Sequence, residues 1–325
     1  MSIRLSFHPQ KKNEPPQIII NKPAKFENKL SNIYMFNNLV KAQPHNEQEA
    51  SQQQKVQAIL QELDALIGLE AVKKLIWELQ AFIEIQKKRA KENLVTEMPV
   101  LHMLFKGNPG TGKTTVARIV GNLFKEMGLL KKGHVIEVER ADLVGEYIGH
   151  TALKTREQIK YALGGVLFID EAYSLARGGE RDFGKEAIDA MVKAMEDHKD
   201  NLILILAGYR NEMNYFLESN PGLPSRFPIQ IDFPDFSIKE LIAIAEQMLQ
   251  KRDYQFTEEA KKELENILIH KISVAQEQNG NARLVRNLIE KAMRRQAVRL
   301  VNQLHLTRND LLLITWSDLH QSEEN

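Results

Sequence analysis

Cysteine is absent from the 325 residues, which excludes a disulfide framework and any thiolate zinc site and fits a reducing interior. Long hydrophobic runs are missing too. The longest lies around Leu202 to Gly208, well short of the about 18 residues of a membrane span, so no membrane partner is expected. The N-terminus has no apolar signal-peptide core, and a cytoplasmic location is expected. Charge of one sign is not in excess: a net charge of +1 argues against a dedicated polyanion-binding surface and makes nucleic acid an unexpected partner. The local basic cluster at Arg294, Arg295 and Arg299 reads as a solvated helix face. The nine histidines are scattered, without the i, i+4 pairing of a metal-binding helix, and none is assigned a catalytic role. What remains, 43% apolar and 27% charged residues, is ordinary for a globular chain long enough for two domains and a tail.

One octapeptide carries most of the chemistry. Residues 107–114 read Gly-Asn-Pro-Gly-Thr-Gly-Lys-Thr, between a short apolar run, 100–105, and a helically periodic stretch, 115–125. Glycines at 107, 110 and 112 let the backbone curl so that amide N–H groups point at phosphate oxygens, assisted by the N-terminus of the helix. The expected nucleotide contacts are therefore Gly107, Asn108, Pro109, Gly110, Thr111, Gly112, Lys113, Thr114 and Thr115. Lys113 supplies a compact positive charge for the β- and γ-phosphates, and the Thr114 hydroxyl is expected to ligate Mg²⁺. The predicted cofactors are ATP and Mg²⁺.

A second motif lies at a compatible distance. Residues 165–171, Gly-Val-Leu-Phe-Ile-Asp-Glu, form an apolar strand that delivers two carboxylates to its carboxyl end. In an open parallel sheet ligands collect there, which puts Asp170 beside the phosphate loop as the water-mediated holder of Mg²⁺. Glu171 points elsewhere and is the candidate to orient or deprotonate the attacking water.

Along the chain, residues 1–54 are rich in Gln, Asn, Lys and Pro and read as a polar extension, with short apolar pieces at Ile18–Ile20 and Ile33–Phe36 that could dock. Residues 55–99 read as a helical linker jointed at Gly68. From 100 to 235, strand candidates at 101–106, 135–139, 166–170, 202–207 and 229–232 alternate with helices, predicting an α/β fold with a doubly wound parallel sheet of five strands. Ser237 with Glu240 forms a capping-box pattern that opens a small helical domain, 236–325.

A phosphate loop, an Asp-Glu strand end and a C-terminal helical lid, in this order, resemble the AAA+ ATPases. More narrowly the chain resembles the family containing stage V sporulation protein K and the red-type rubisco activase. That likeness rests on Leu66–Leu69, Gly145–Thr151, Asp170–Leu175, Asp182–Gly184, Ala207–Tyr209, Asn220–Leu223, Ser225–Phe227 and Gly280–Arg283. The polar tail is more like the sporulation protein. The resemblance implies ATP hydrolysis to ADP and phosphate by a homo-oligomer, a hexameric ring, that threads or pulls a protein client in endospore formation. The alternatives are a rubisco activase and a nucleic-acid-linked loader. A nucleotide switch without turnover would need neither Glu171 nor Arg226.

The resemblance also assigns roles. Tyr147, Ile148 and Gly149 correspond to the loop that grips polypeptide in the ring's channel; otherwise Tyr147 caps the domain's own core. Arg226 corresponds to the finger that reaches a neighbour's γ-phosphate, the alternative being a surface salt bridge. Arg283, or Arg286 one turn on, corresponds to the lid sensor of the same subunit. Ile67 and Gly68 correspond to the adenine-pocket wall, or are only a helical joint. The chain departs from many relatives at the end of the fourth strand, where Ala207-Gly208-Tyr209 replaces an Asn or Thr, leaving Tyr209 or Asn211 as first sensor.

Overall fold

The computed structural model describes residues 47–147, 149–177, 182–274 and 280–320. Ile148 and the apolar pieces at Ile18–Ile20 and Ile33–Phe36 lie outside them. The first helix, α1 (Glu47–Asp64), begins earlier than the expected start near Val56, because Glu, Gln, Ala and Lys are good helix formers despite their polarity. The chain then turns through Gly68 and Leu69, both at positive φ, into α2 (Glu70–Lys91).

The strands are β1 (Met103–Gly107), β2 (Val135–Val138), β3 (Val166–Ile169), β4 (Ile203–Gly208) and β5 (Ile229–Phe233), each within two residues of its predicted place. They pair in parallel, in the order β2-β3-β4-β1-β5, with Leu104 opposite Leu206 and Gln230, and Phe168 opposite Ile205. Alternation along each strand divides the core. Met103, Phe105, Phe168, Ile203 and Ile205 pack with α2 and with α3 (Lys113–Glu126), whereas Leu104, Leu167, Leu204 and Leu206 face the opposite layer. That layer consists of α4 (Arg140–Leu143), α5 (His150–Ala162), α6 (Gly184–Asp197) and α7 (Arg210–Glu218). Burial on both faces explains why β3 and β4 read as continuous apolar runs.

A short turn of helix, α8 (Leu223–Arg226), precedes β5, after which the lid begins. In α9 (Ile238–Gln250) the expected capping box is formed: Ser237 Oγ accepts from the Glu240 amide at 3.3 Å and Glu240 Oε2 accepts from the Ser237 amide at 2.7 Å. Helices α10 (Glu258–Val274) and α11 (Asn281–Val301) close a separate apolar core around Leu241, Leu264, Leu268, Val285 and Ile289. The lid also holds a feature the periodicity did not reveal, a two-residue parallel pairing of Gln255–Phe256 with Leu313–Ile314. No helix among the described residues is long and apolar enough to cross a membrane.

Candidate active site

The loop after β1 and the N-terminus of α3 form the floor of a cavity of about 970 Å³ at the carboxyl ends of the strands. Gly110 and Gly112 sit at φ 76° and 97°, a backbone that L side chains rarely adopt. Gly110 has a second constraint: a Cβ there would come within 2.5 Å of the Gly280 carbonyl and 2.9 Å of the Arg283 amide. The phosphate loop therefore abuts the start of lid helix α11, and the Ala282 amide donates to the Gly110 carbonyl at 3.1 Å. Buried Thr111 closes the turn by donating to the Asn108 carbonyl at 2.8 Å.

Lys113 Nζ donates to the carbonyls of Gly107 and Asn108, both at 2.8 Å, so the ammonium is held over the loop. Burial lowers its pKa; Asp170 opposes that, Arg283 adds to it, and Asp235 and Glu171 oppose it further. At the end of β3, Asp170 receives the Glu171 amide at 3.0 Å, and Glu171 lies at φ 47°, rare for a residue with a side chain. Backbone strain of this kind collects at functional sites. Glu171 is exposed and lines the cavity together with Asp170.

The structure brings together Gly107, Pro109, Gly110, Gly112, Lys113, Thr114, Thr115, Asp170, Glu171 and Arg283 around one cavity. Both sensor candidates on α11, Arg283 and Arg286, line it, as does Tyr209, while exposed Asn211 does not. The curled backbone, the Lys113 ammonium, the helix N-terminus and the Thr114–Asp170 pair fit a nucleoside triphosphate with Mg²⁺. Ile67 and Gly68 are not in the lining of this cavity, and Ile67 packs on the lid core. Leu69 instead approaches the loop, 3.4 Å from a Cβ built on Gly112. Arg226 is also outside the cavity, paired with Glu196 and donating to the Gly222 carbonyl at 3.0 Å. Tyr147 is 66% exposed and lies edge-on to His150, so it does not cap its own core. Gly149 is at φ 81° with open space around it.

Two groups of residues were given no role of their own in the sequence. Asn281, 1% exposed and at φ 44°, joins three segments. Its Oδ1 accepts from the Phe236 amide at 2.9 Å, and its Nδ2 donates to Asp235 at 2.8 Å and to the Pro109 carbonyl at 3.4 Å. Asp235 in turn receives Asn108 Nδ2 at 3.0 Å, so the loop, the interdomain joint and the lid share one network. A signal was present, since Asn tolerates left-handed backbone and Asn281 lies in a motif with Arg283. The second group, Arg118, Arg140 and Lys154, also lines the cavity: Arg118 stands on α3 one turn beyond Thr114, whereas Arg140 and Lys154 come from α4 and α5, distant in sequence from the phosphate loop.

Comparison with known proteins agrees with this geometry. Residues 103–235 match the model of the ATPase family associated with various cellular activities (AAA), and residues 237–325 match the AAA lid domain. Stage V sporulation protein K of Bacillus subtilis (strain 168) is 56% identical over 267 residues, covering 82% of this chain and 83% of that protein. The chloroplastic ribulose bisphosphate carboxylase/oxygenase activase of Cyanidioschyzon merolae is 46% identical over 283 residues, covering 85% of this chain and 95% of the activase. Among solved structures, a Thermotoga maritima RuvB mutant aligns with a TM-score of 0.51 at 22% identity, covering 79% of this chain and 69% of that one, a likeness of fold alone.

Proposed function

Because the chain belongs to the AAA family of ATPases, we propose that it works as a ring of identical subunits that couples ATP hydrolysis to the remodelling of a protein client. Lys113, the loop amides and Arg283 bind and orient the triphosphate. Glu171 takes a proton from a water whose oxygen attacks the γ-phosphorus; the bond to the β–γ bridging oxygen breaks, leaving ADP and phosphate. Thr114, and Asp170 through water, would hold Mg²⁺, which would neutralise charge on the phosphate oxygens. Tyr209 is the first-sensor candidate, since it lines the cavity.

The observation that carries the ring is the position of Arg226. It is charged, half-exposed and outside the cavity its own chain builds, as a residue that completes a neighbour's site must be. Six subunits are the expected number. The exposed Tyr147 beside Gly149 is suited to gripping varied side chains, because an aromatic face makes little sequence demand. The client is a component of endospore formation, by likeness to the sporulation protein. The activase relative supports a second reading, in which the client is rubisco, and recovery of rubisco inhibited by a sugar bisphosphate would select it. These roles belong in the cytoplasm.

The test is steady-state ATP hydrolysis over a wide range of protein concentration, with Arg226→Ala mixed in at rising fractions. The expected rate per subunit climbs with concentration and falls more than in proportion to the mutant fraction. A flat rate with linear dilution would sink the shared-site ring.

A further inference from the structure

The segment that carries Tyr147 is braced at its base. Buried Thr151 accepts from the Gly145 amide at 3.0 Å, buried Thr155 donates to the Leu143 carbonyl at 3.1 Å, and Lys154 Nζ donates to the Ala141 carbonyl at 2.9 Å. Both threonines thus use their hydroxyls on the loop base, and α4, Gly145 and α5 form one block. Among the described residues, one side chain ties this block to the far side of the cavity, where Glu171 turns, by charged hydrogen bonds. Arg140, the first residue of α4, donates to the Ser174 carbonyl at 2.6 Å and makes a two-pronged pair with Asp182, at 2.5 and 3.1 Å. Ser174 closes the turn begun by Glu171, whose carbonyl accepts the Ser174 amide at 2.8 Å. The Asp182 carboxylate, 5% exposed, also receives the Gly184 amide at 3.0 Å at the start of α6. Gly184 leaves no alternative: a Cβ there would meet the Leu175 carbonyl at 2.0 Å and Arg140 Nη1 at 3.0 Å.

We propose that Arg140, clamped by Asp182, is the positioning residue that transmits the state of the Glu171 turn to the Tyr147 loop. A planar guanidinium with two parallel bonds to a carboxylate and a third to a backbone carbonyl has one arrangement, so a shift of the 171–174 turn must displace α4 or break charged bonds in a mostly buried place. Arg140 and Ser174 both line the cavity, so the clamp senses what is bound there. The inference rests on the reading of Tyr147 as the client-contacting loop, yet the transmission itself can be measured without a client.

Because the chain has no cysteine, Tyr147→Cys gives a single labelling site for an environment-sensitive fluorophore. The response to a non-hydrolysable ATP analogue is then compared with and without Arg140→Ala, Arg140→Lys or Asp182→Asn, with labelled-nucleotide affinity measured alongside. The expected result, read for each variant at an analogue concentration that saturates its own measured affinity, is a loop response reduced at least fivefold in Arg140→Ala and Asp182→Asn and partly restored in Arg140→Lys. Unaltered loop response in these variants, or none in the parent, overturns the relay. Should Arg140→Ala fail to fold, judged by its melting profile, the isosteric Asp182→Asn decides. The Tyr147 reading fails separately, if Tyr147→Ala leaves client remodelling intact while the relay result holds.

Discussion

Lys113 and Glu171 sit in one cavity with different demands on them. Burial works against the Lys113 charge, and Lys113→Ala removes the ammonium that donates to the loop carbonyls and is expected to lose nucleotide binding by at least tenfold in a fluorescent-nucleotide titration. Glu171→Gln keeps the shape and the strained backbone but cannot take a proton; it is expected to bind ATP and reduce turnover by roughly 10²–10⁴-fold. Hydrolysis at the parent rate in Glu171→Gln would remove the assigned role. His102 is a residue-scale case outside the chemistry. It is 5% exposed, its Nδ1 accepts the Leu204 amide at 3.0 Å, and burial pushes its pKa down to about 4. The unfolded chain, at the ordinary value of about 6.5, takes up this proton first as pH falls. Stability from this group is therefore complete above pH 6.5 and is lost as pH drops towards 4. Between pH 7 and pH 5 the loss is on the order of 2 kcal/mol by linkage. In His102→Asn, which keeps an acceptor for Leu204, the difference in denaturation midpoint between those two pH values should shrink accordingly.

At the scale of elements, the phosphate loop and lid helix α11 behave as one joint. Asn281 fills it with an acceptor for Phe236 and donors for Asp235 and Pro109, in a conformation that disfavours most side chains. Asn281→Ala strands a buried amide, at about 1–3 kcal/mol, and adds left-handed strain of about 1–2 kcal/mol. Asn281→Gly relieves the strain and keeps only the first loss. Thermal melts should rank parent above Gly above Ala, and nucleotide affinity should follow the same order, because Arg283 and Arg286 are carried on that helix. Gly110→Ala tests the other half of the joint. Its methyl would meet the Gly280 carbonyl, and the lid must move away, so turnover is expected to fall at least tenfold with the sheet still folded by circular dichroism.

For the whole molecule, the proposed ring is tested at Arg226, which stands outside the cavity that its own chain builds. Arg226 pairs with Glu196 on the surface of a single chain, so Glu196→Ala is expected to leave hydrolysis at high protein concentration within about threefold of the parent, whereas Arg226→Ala abolishes it. Equal losses in both would mean that the pair serves the fold of one chain. Much of the architecture was legible because its signals are local. The apolar runs of β3 and β4 mark strands buried on both faces, and the Ser237–Glu240 box marks a helix start. The start of α1 was not, because a run of Gln and Glu looks equally like an extension and an exposed helix.

Sequence by itself determined the phosphate loop, the Asp170–Glu171 strand end and the order of strands and helices along the chain. Those features are encoded over a few residues, by glycine backbone freedom, by alternation and by caps. Tertiary structure alone decided that β1 lies between β4 and β5 and that Tyr209, not Asn211, lines the cavity. It also decided that Ile67 packs on the lid and that Arg140 spans from the loop base to Asp182. Each of these depends on the direction in which a side chain leaves a folded surface, and on contacts between residues far apart in the chain, which no short pattern carries.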